Sequence, residues 1–304
     1  MSVHDRELPP GWTVLDASGP GPFVTRARLR RPDGTEVEWT SRRHRKRLGV
    51  RSLAGVETSA AAQVWSRRPT VRSWTIGLLF MIGSLCFALG SMPLYFDRVS
   101  PAVTAWTFFV GSVFFTSASF LQYHEAVNAP ALPEGGRSPR HGLRRYLAWT
   151  PRRIDYWATL VQLVGTVFFN VTTFAATRSD LTLAQERHLV WAPDVLGSIC
   201  FLVASWFAYL EVAPRLRHPR GGRSTGWWIA ALNLLGSIAF GISAVAARVV
   251  AGPDEVANLA LVNLGTWIGA VCFFVGAALL PVESAHDAEP EAPPAADGAV
   301  SRAA

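Results

Sequence analysis

Three glutamates have the spacing that most suggests chemistry at a membrane surface. Each lies fourteen residues after a glycine, at the end of a long apolar segment, and the three are Glu125, Glu211 and Glu283. Fourteen residues of α-helix rise about 21 Å, so the carboxylates would lie among the lipid head groups if those glycines mark the middle of the membrane. Two hypotheses follow. Either each acid pairs with a nearby arginine such as Arg72, Arg153 or Arg223, or the three form a ring at a cytoplasmic mouth that attracts cations or anchors a gate.

Enzyme chemistry has little support in the sequence. Cys86, Cys200 and Cys272 lie in separate apolar segments without CxxC spacing or a neighbouring base, so we expect buried small side chains rather than nucleophiles, disulfides or zinc ligands. The patterns GxxxxGKS/T and HExxH do not occur. We therefore expect no enzymatic activity, no catalytic residues, no metal and no cofactor.

Six long apolar segments must position these side chains. None contains Lys or Arg, and the mean hydropathy of the 304-residue chain is +0.21 despite two polar tails. A hydrocarbon core of about 30 Å needs roughly 20 apolar residues in a helix. The sequence therefore predicts an all-α polytopic membrane protein with a membrane domain over residues 74–283. Its six transmembrane helices are expected at residues 74–96, 102–123, 156–177, 194–212, 227–247 and 259–281.

Basic residues alternate between the connections of these segments. The N-terminal segment and the second and fourth connections together carry 24 Lys and Arg, whereas the other three connections carry four. By the positive-inside rule, both termini are expected in the cytoplasm, with the helices in the plasma membrane. The net charge of +7 therefore indicates topology rather than a nucleic-acid partner.

One template recurs in the six segments. Each contains a central glycine, then a small residue, then a phenylalanine four positions after the glycine. The glycines are Gly83, Gly111, Gly165, Gly197, Gly236 and Gly269, and the phenylalanines are Phe87, Phe115, Phe169, Phe201, Phe240 and Phe273. Helices in a bilayer associate through tight contact at small residues, so the template predicts close packing. Because alternate segments end differently, we interpret the chain as a two-helix hairpin used three times.

The hairpin resembles a known family of bacterial membrane proteins. The clearest stretch is Trp74–Asn128, from WTIGLLFMIGSLCFALGS to TFFVGSVFFTSASFLQYHEAVN. It resembles the YrhK-like domain, a short module with two predicted spans, and the later hairpins repeat it more loosely to about residue 283. The resemblance implies a membrane protein and supplies no catalytic residues.

The N-terminal residues 1–50 predict a small β element. Strands at Phe23–Arg30 and Thr35–Thr40 flank a turn at Arg31–Gly34, and Trp12–Leu15 is a candidate third strand. One face of the hairpin would hold Phe23, Ala27, Leu29, Val37 and Trp39. The other face would set Arg26, Arg28 and Arg30 against Glu36 and Glu38. Residues 51–73 are expected to be a linker, and residues 284–304 a disordered cytoplasmic tail.

A basic run follows the predicted hairpin. Its members are Arg42, Arg43, Arg45, Lys46 and Arg47. Because the run precedes a span on the cytoplasmic side, it is a candidate lipid-facing segment that attracts anionic head groups. A solvated topology signal explains it equally well.

Few polar residues lie within the predicted spans. Gln162, Asn170, Asn233 and Asn263 are expected to hydrogen-bond to neighbouring helices, with contact to a solute as the alternative. Asp155 and Asp194 are expected at helix starts, where capping or the helix dipole explains them. The sequence thus predicts no charged residue deep in the membrane.

Two classes of function remain. A structural, sensory or lipid- and partner-interacting membrane protein would use the N-terminal element and suits a midplane dense in phenylalanine. A channel or transporter for an ion or small solute would use the repeated helices around a central path. The sequence names neither a ligand nor a protein partner.

Overall fold

The structure is a computed structural model that describes residues 8–46, 50–53, 69–129, 142, 146–147, 149–212, 224–248 and 258–288. Within these residues the chain forms a small N-terminal sheet followed by six long helices. The predicted combination of a mostly helical chain with a small N-terminal sheet is confirmed.

The N-terminal sheet has four antiparallel strands in the order β1-β2-β3-β4. They are β1 (Thr13–Ser18), β2 (Arg26–Arg30), β3 (Glu36–Thr40) and β4 (Arg51–Ser52). The predicted hairpin is confirmed: Ala27 pairs with Trp39 and Leu29 with Val37. Its turn places Gly34 at a φ of 84°, which a glycine adopts without steric cost.

The two faces of the hairpin have different chemistry, as the alternation of its residues predicted. Arg28 and Arg30 contact Glu36 at 3.3 and 2.9 Å, and Arg26 contacts Glu38. The opposite face buries a core of Trp12, Ala27, Leu29, Val37 and Val50. Strand β4 was not predicted; it lies within the expected linker, of which residues 54–68 are outside the described part.

Six helices in the described part are long and apolar enough to cross a membrane, which confirms the predicted number. The helical bounds are Pro69–Gly90 for span 1, Pro101–Val127 for span 2, Ile154–Ala175 for span 3, Leu183–Val212 for span 4, Thr225–Ala246 for span 5 and Leu259–Ala288 for span 6.

The six spans form a closed ring. Each span packs against the next in the chain, and span 6 packs against span 1. The phenylalanines of the template lie inside this ring in one hydrophobic cluster. Outward-facing residues such as Leu78, Ile199 and Leu264 are exposed and apolar, consistent with a lipid environment.

Three helix ends differ most from the predicted bounds. Span 1 stops at Gly90, and a short helix (Pro93–Phe96) follows, because the residue before a proline is disfavoured in the α conformation. Span 4 begins eleven residues before the predicted start, at Leu183. Span 6 continues to Ala288, so the first residues of the predicted tail are helical; residues 289–304 lie outside the described part.

Candidate functional site

The basic run forms a short helix at one end of the ring. Helix α1 (Ser41–Arg45) follows β3 directly, and the Thr40 hydroxyl accepts a hydrogen bond from the Arg43 N–H at 3.4 Å. This cap starts the helix and orients the following side chains. Arg47 lies outside the described residues.

Glu283 of span 6 binds two cations of this segment. Arg42 Nε lies 2.5 Å from Glu283 Oε1, and Lys46 Nζ lies 2.7 Å from Oε2. Arg42, Lys46 and Glu283 are only 7, 9 and 5% exposed. Buried charges of this kind persist only when they are paired, because removing one partner leaves the other uncompensated.

Glu211 of span 4 binds the same helix from the other side. The Ser41 hydroxyl donates to Glu211 Oε1 at 2.5 Å, and Arg45 Nη1 lies 3.6 Å from Oε2. Glu211 is also buried. Two carboxylates from two spans therefore hold one turn of helix, and we call this set of contacts the docking site.

Span 5 contributes Gly226, which sequence reasoning missed. A Cβ added there would lie 2.5 Å from Glu283 Oε1 and 3.1 Å from Arg42 Nε. The docking site thus needs a residue without a side chain at this position. The only signal in the sequence was a glycine in the first turn of a span, where helix propensity disfavours it.

Span 3 supplies a third buried acid beside α1. Asp155, in the first turn of span 3, accepts a hydrogen bond from Arg153 Nε at 3.0 Å, which agrees with its expected place at a helix start. The half-buried His44 of α1 contacts Trp39 with the two rings tilted by 52° and their centroids 5.6 Å apart. Burial, assisted by the Arg153 charge and opposed by Asp155, lowers the pKa of His44 from 6.5 to about 4.

These contacts bear on two hypotheses from the sequence. Glu211 and Glu283 hold side chains of this chain instead of lining an open mouth, and Glu125 is half-buried near the end of span 2. Arg42 and Lys46 are buried in ion pairs rather than facing lipid, which corrects the lipid-facing hypothesis for those two residues. The reason is charge pairing: a buried carboxylate requires a countercharge, and α1 provides it.

The centre of the ring is filled by the six template phenylalanines. Those of spans 1, 3 and 5 form one triangle, with ring centroids 5.9 to 6.4 Å apart. Those of spans 2, 4 and 6 form a second triangle, at 5.6 to 6.2 Å. Contacts of 5.1 to 5.7 Å join the triangles within each consecutive pair of spans. We call these six rings the phenylalanine cluster.

The template glycines lie where consecutive spans come closest. A Cβ on Gly83 would lie 2.9 Å from the carbonyl oxygen of Gly111. The same construction gives 3.2 Å between Gly165 and Gly197 and 3.1 Å between Gly236 and Gly269. These distances leave no room for a side chain, as expected of helices that pack through small residues.

Hydroxyl and amide groups connect neighbouring spans. Ser112 bonds to Thr173, Ser205 to Ser237 and Ser243 to Thr266, at 2.8 to 2.9 Å. Asn170 Nδ2 donates to Thr116 Oγ1 at 2.8 Å, and Gln162 Nε2 lies 3.4 Å from Ser119 and Gln122. The predicted interhelical bonding is confirmed for Asn170 and Gln162.

Asp194 lies in the first turn of the α-helix Ala192–Val212, as expected, but this α-helix continues without a break from the helical residues Leu183–Trp191. Asp194 is the twelfth residue of the 30-residue helical stretch of span 4. The predicted start of span 4 was too late, because Thr182 and Gln185 form a capping box and the polar run Glu186–His188 continues the helix. An acidic residue therefore lies well inside a candidate span, where the sequence predicted none.

Comparison with protein-family models, with curated proteins and with solved structures gave no match. The class of protein defined by the fold is a multi-pass membrane protein with a docked N-terminal sheet.

Proposed function

We propose that this chain is a non-conducting membrane protein of the structural or sensory kind, in which the N-terminal sheet is held reversibly on the six-helix ring. The observation that carries the proposal is the docking site itself: Glu211 and Glu283, the acids best placed to attract a solute, already bind α1. A contact made of a few charged and polar groups is more readily exchanged than an apolar core.

Anionic lipid is the partner that we propose for the undocked state. Released from its carboxylates, the basic run would carry uncompensated charge next to a membrane, where each Lys or Arg near an anionic surface gains about 1 kcal/mol. Lipid head groups and the two glutamates would then compete for the same side chains. This competition supports a sensory rather than a purely structural role.

We also propose that the docking end is cytoplasmic and that the membrane is the plasma membrane. The support is the positive-inside distribution, because the basic segments precede spans 1, 3 and 5, which begin at this end of the ring. Both termini would then be cytoplasmic.

The proposal extends to three repeated hairpins of the YrhK-like kind. Its support is that the close glycine approach and the phenylalanine contact recur in spans 1–2, 3–4 and 5–6. In this proposal the six-helix ring arose from one hairpin used three times.

Distance measurements between spin labels test the docking. Labels would be placed at Leu15→Cys in β1 and Ser224→Cys before span 5, in a background with Cys86, Cys200 and Cys272 replaced by Ala. We expect one narrow distance distribution for this chain and a broad one after Glu211→Gln together with Glu283→Gln. A double variant that keeps the narrow distribution would contradict the proposal.

A matched control for that experiment lies within the sheet. Glu36 also pairs with two arginines, Arg28 and Arg30, but these contacts are exposed and internal to the sheet. Glu36→Gln should therefore leave the distance distribution unchanged, because exposed ion pairs within the sheet contribute little and do not touch the docking site.

The alternative is a channel or transporter, and the closed ring around one axis favours it. The phenylalanine cluster opposes it, since six rings in mutual contact fill that axis. Ion and small-solute flux into proteoliposomes decides between them. We expect tight vesicles with both the unaltered chain and a Glu125/Glu211/Glu283 triple Gln variant; flux that the variant changes would overturn our proposal in favour of transport.

A further inference from the structure

Span 4 contains a rare helical irregularity. Residues Glu186–Trp191 form a π-helix between two α-helical segments. Its neighbours hold it in place: the Thr172 hydroxyl of span 3 donates to the Val190 carbonyl, and Trp191 Nε1 donates to the Ala244 carbonyl of span 5 at 3.1 Å. Such segments are less stable than regular helix and occur often at functional sites.

Asp194 follows this π-helix within three residues. It lies on the same helical face as Ser198 and Phe201, four and seven residues later, and each of these is only 3% exposed. Asp194 therefore lies on the inner side of the ring, about 4.5 Å along the helix axis from the close approach of Gly197 to span 3. Asp194 is partly buried.

The Asp194 carboxyl has no partner among the described residues: it makes neither a hydrogen bond nor an ion pair there. This separates it from Asp155, Glu211 and Glu283, each of which binds a basic side chain. An intramembrane acid usually pairs with another group or lines a pathway, so one without a partner marks a functional site.

No charge of a neighbouring described element lies at the depth of Asp194. Span 3 carries one acidic residue, Asp155, at its opposite end, and span 5 as described carries no acidic, basic or histidine residue. The π-helix has Glu186, Arg187 and His188, which lie six to eight residues earlier, about 9 to 12 Å along the axis.

We propose that Asp194 is a proton-binding site, with a carboxyl able to bind and release a proton on the side of the phenylalanine cluster away from the docking site. An ionised carboxylate without a countercharge is unfavourable in an apolar surrounding, and binding a proton removes the charge. The proton is favoured over a metal ion because the described residues contain no group of three His, Cys, Asp or Glu side chains that could hold one.

The proposed proton-binding site at Asp194 is spatially separate from the docking site. Glu211 lies seventeen residues after Asp194 on the same helix, about 25 Å along the axis, with Phe201 and its cluster between them. The proton site is thus independent of the proposed function, since protonation of Asp194 is measurable whether or not α1 is docked.

Carbodiimide labelling tests the proposal directly. Dicyclohexylcarbodiimide reacts with a protonated carboxyl in apolar surroundings. The O–H adds across one C=N bond to give an O-acylisourea, and the acyl group then shifts from oxygen to nitrogen to give a stable N-acylurea, with no leaving group. The full-length chain would be labelled in vesicles over a pH series, and the modified residue identified by mass spectrometry. We expect modification of Asp194 at neutral pH that declines at alkaline pH, and none of the ion-paired Glu211 and Glu283.

Infrared difference spectroscopy detects a protonated carboxyl without requiring that the carbodiimide reach it. The carbonyl stretch of a protonated carboxylic acid should be present at neutral pH in the unaltered chain, disappear at alkaline pH, and be absent from Asp194→Asn. Gel filtration and circular dichroism would establish that the Asn variant is folded. If the unaltered chain shows neither the carbonyl band nor labelling of Asp194 at neutral pH, the proposal is wrong.

Discussion

The acidic residues of this chain differ through their surroundings rather than their type. Glu283 lies between Arg42 and Lys46, Asp155 binds Arg153, and Asp194 has no partner among the described residues. A carboxylate with a buried countercharge holds an element in place, whereas a carboxyl without one is suited to binding a proton. The same side chain thus serves attachment at one end of the ring and, in our proposal, chemistry inside it.

Gly226→Ala tests whether the docking site requires a glycine at this position. The added methyl would meet Glu283 Oε1 at 2.5 Å and displace it from Arg42. We expect docking to weaken by roughly 1 to 3 kcal/mol, the cost typical of overpacking, seen as a broadened distance distribution between the sheet and span 5.

Gly241→Ala is the matched control in the same span. A Cβ there meets no atom of the described structure within 4 Å. Alanine should leave the distance distribution unchanged and favour the helix by up to about 1 kcal/mol. Equal effects of the two substitutions on docking would contradict the assignment of Gly226.

Glycine and phenylalanine make different contributions to the association of the spans. Gly83 and Gly111 let two helices approach closely, and Phe87 and Phe115, one turn further along, fill the space beside that approach. Because the bilayer supplies no hydrophobic driving force between helices, such contacts and a few interhelical hydrogen bonds stabilise the ring.

Phe201→Ala should destabilise the six-helix ring far more than removal of a phenylalanine side chain at its periphery. Phe201 contacts Phe115, Phe169 and Phe273 inside the cluster, so alanine leaves a cavity that costs about 3 to 5 kcal/mol. Phe174→Ala is the comparison, because Phe174 is 54% exposed and a substitution there should cost well under half as much. Thermal unfolding in detergent measures both, and similar losses would show that the cluster is not central to stability.

At the scale of the whole molecule, two kinds of contact hold the parts together. The ring is joined by apolar packing along entire helices, whereas the sheet is attached through α1 and a contact of Phe23 with Phe207, with ring centroids 6.0 Å apart. The second set is small and mostly charged, so we expect it to respond to pH while the ring stays intact.

Acidification should weaken docking through His44. Its pKa is about 4 when docked beside Arg153 and Asp155 and returns towards 6.5 when exposed, so the undocked form binds more protons between these values. Docking is therefore fully favoured above pH 6.5 and loses up to about 3 kcal/mol as the pH falls to about 4.

The same spin-label distances, followed during titration, measure this loss. His44→Gln keeps a neutral side chain and should flatten the response in that pH window. A response that persists in the variant would assign the pH dependence to another group.

Local patterns were sufficient to predict most elements and part of the site. The β2–β3 register followed from alternation of Ala27 and Leu29 with arginines, and the six helices from apolar length. The start of span 4 was mispredicted because Glu186–His188 is polar, and the prediction therefore made Asp194 the first residue of the span instead of the twelfth. The contacts of α1 with Glu211 and Glu283 could not be predicted, because a short basic run can face lipid, protein or water.

The sequence by itself determined six apolar helices, a glycine and phenylalanine at matching positions in each, and a basic segment before span 1. These features depend on residue type and on spacing within one helix or hairpin. Only the tertiary structure decided which charges meet, because Arg42 and Glu283 are 241 residues apart and become neighbours when the ring closes span 6 against span 1. Closure also directs the six phenylalanines to one axis and leaves Asp194 inside without a described partner.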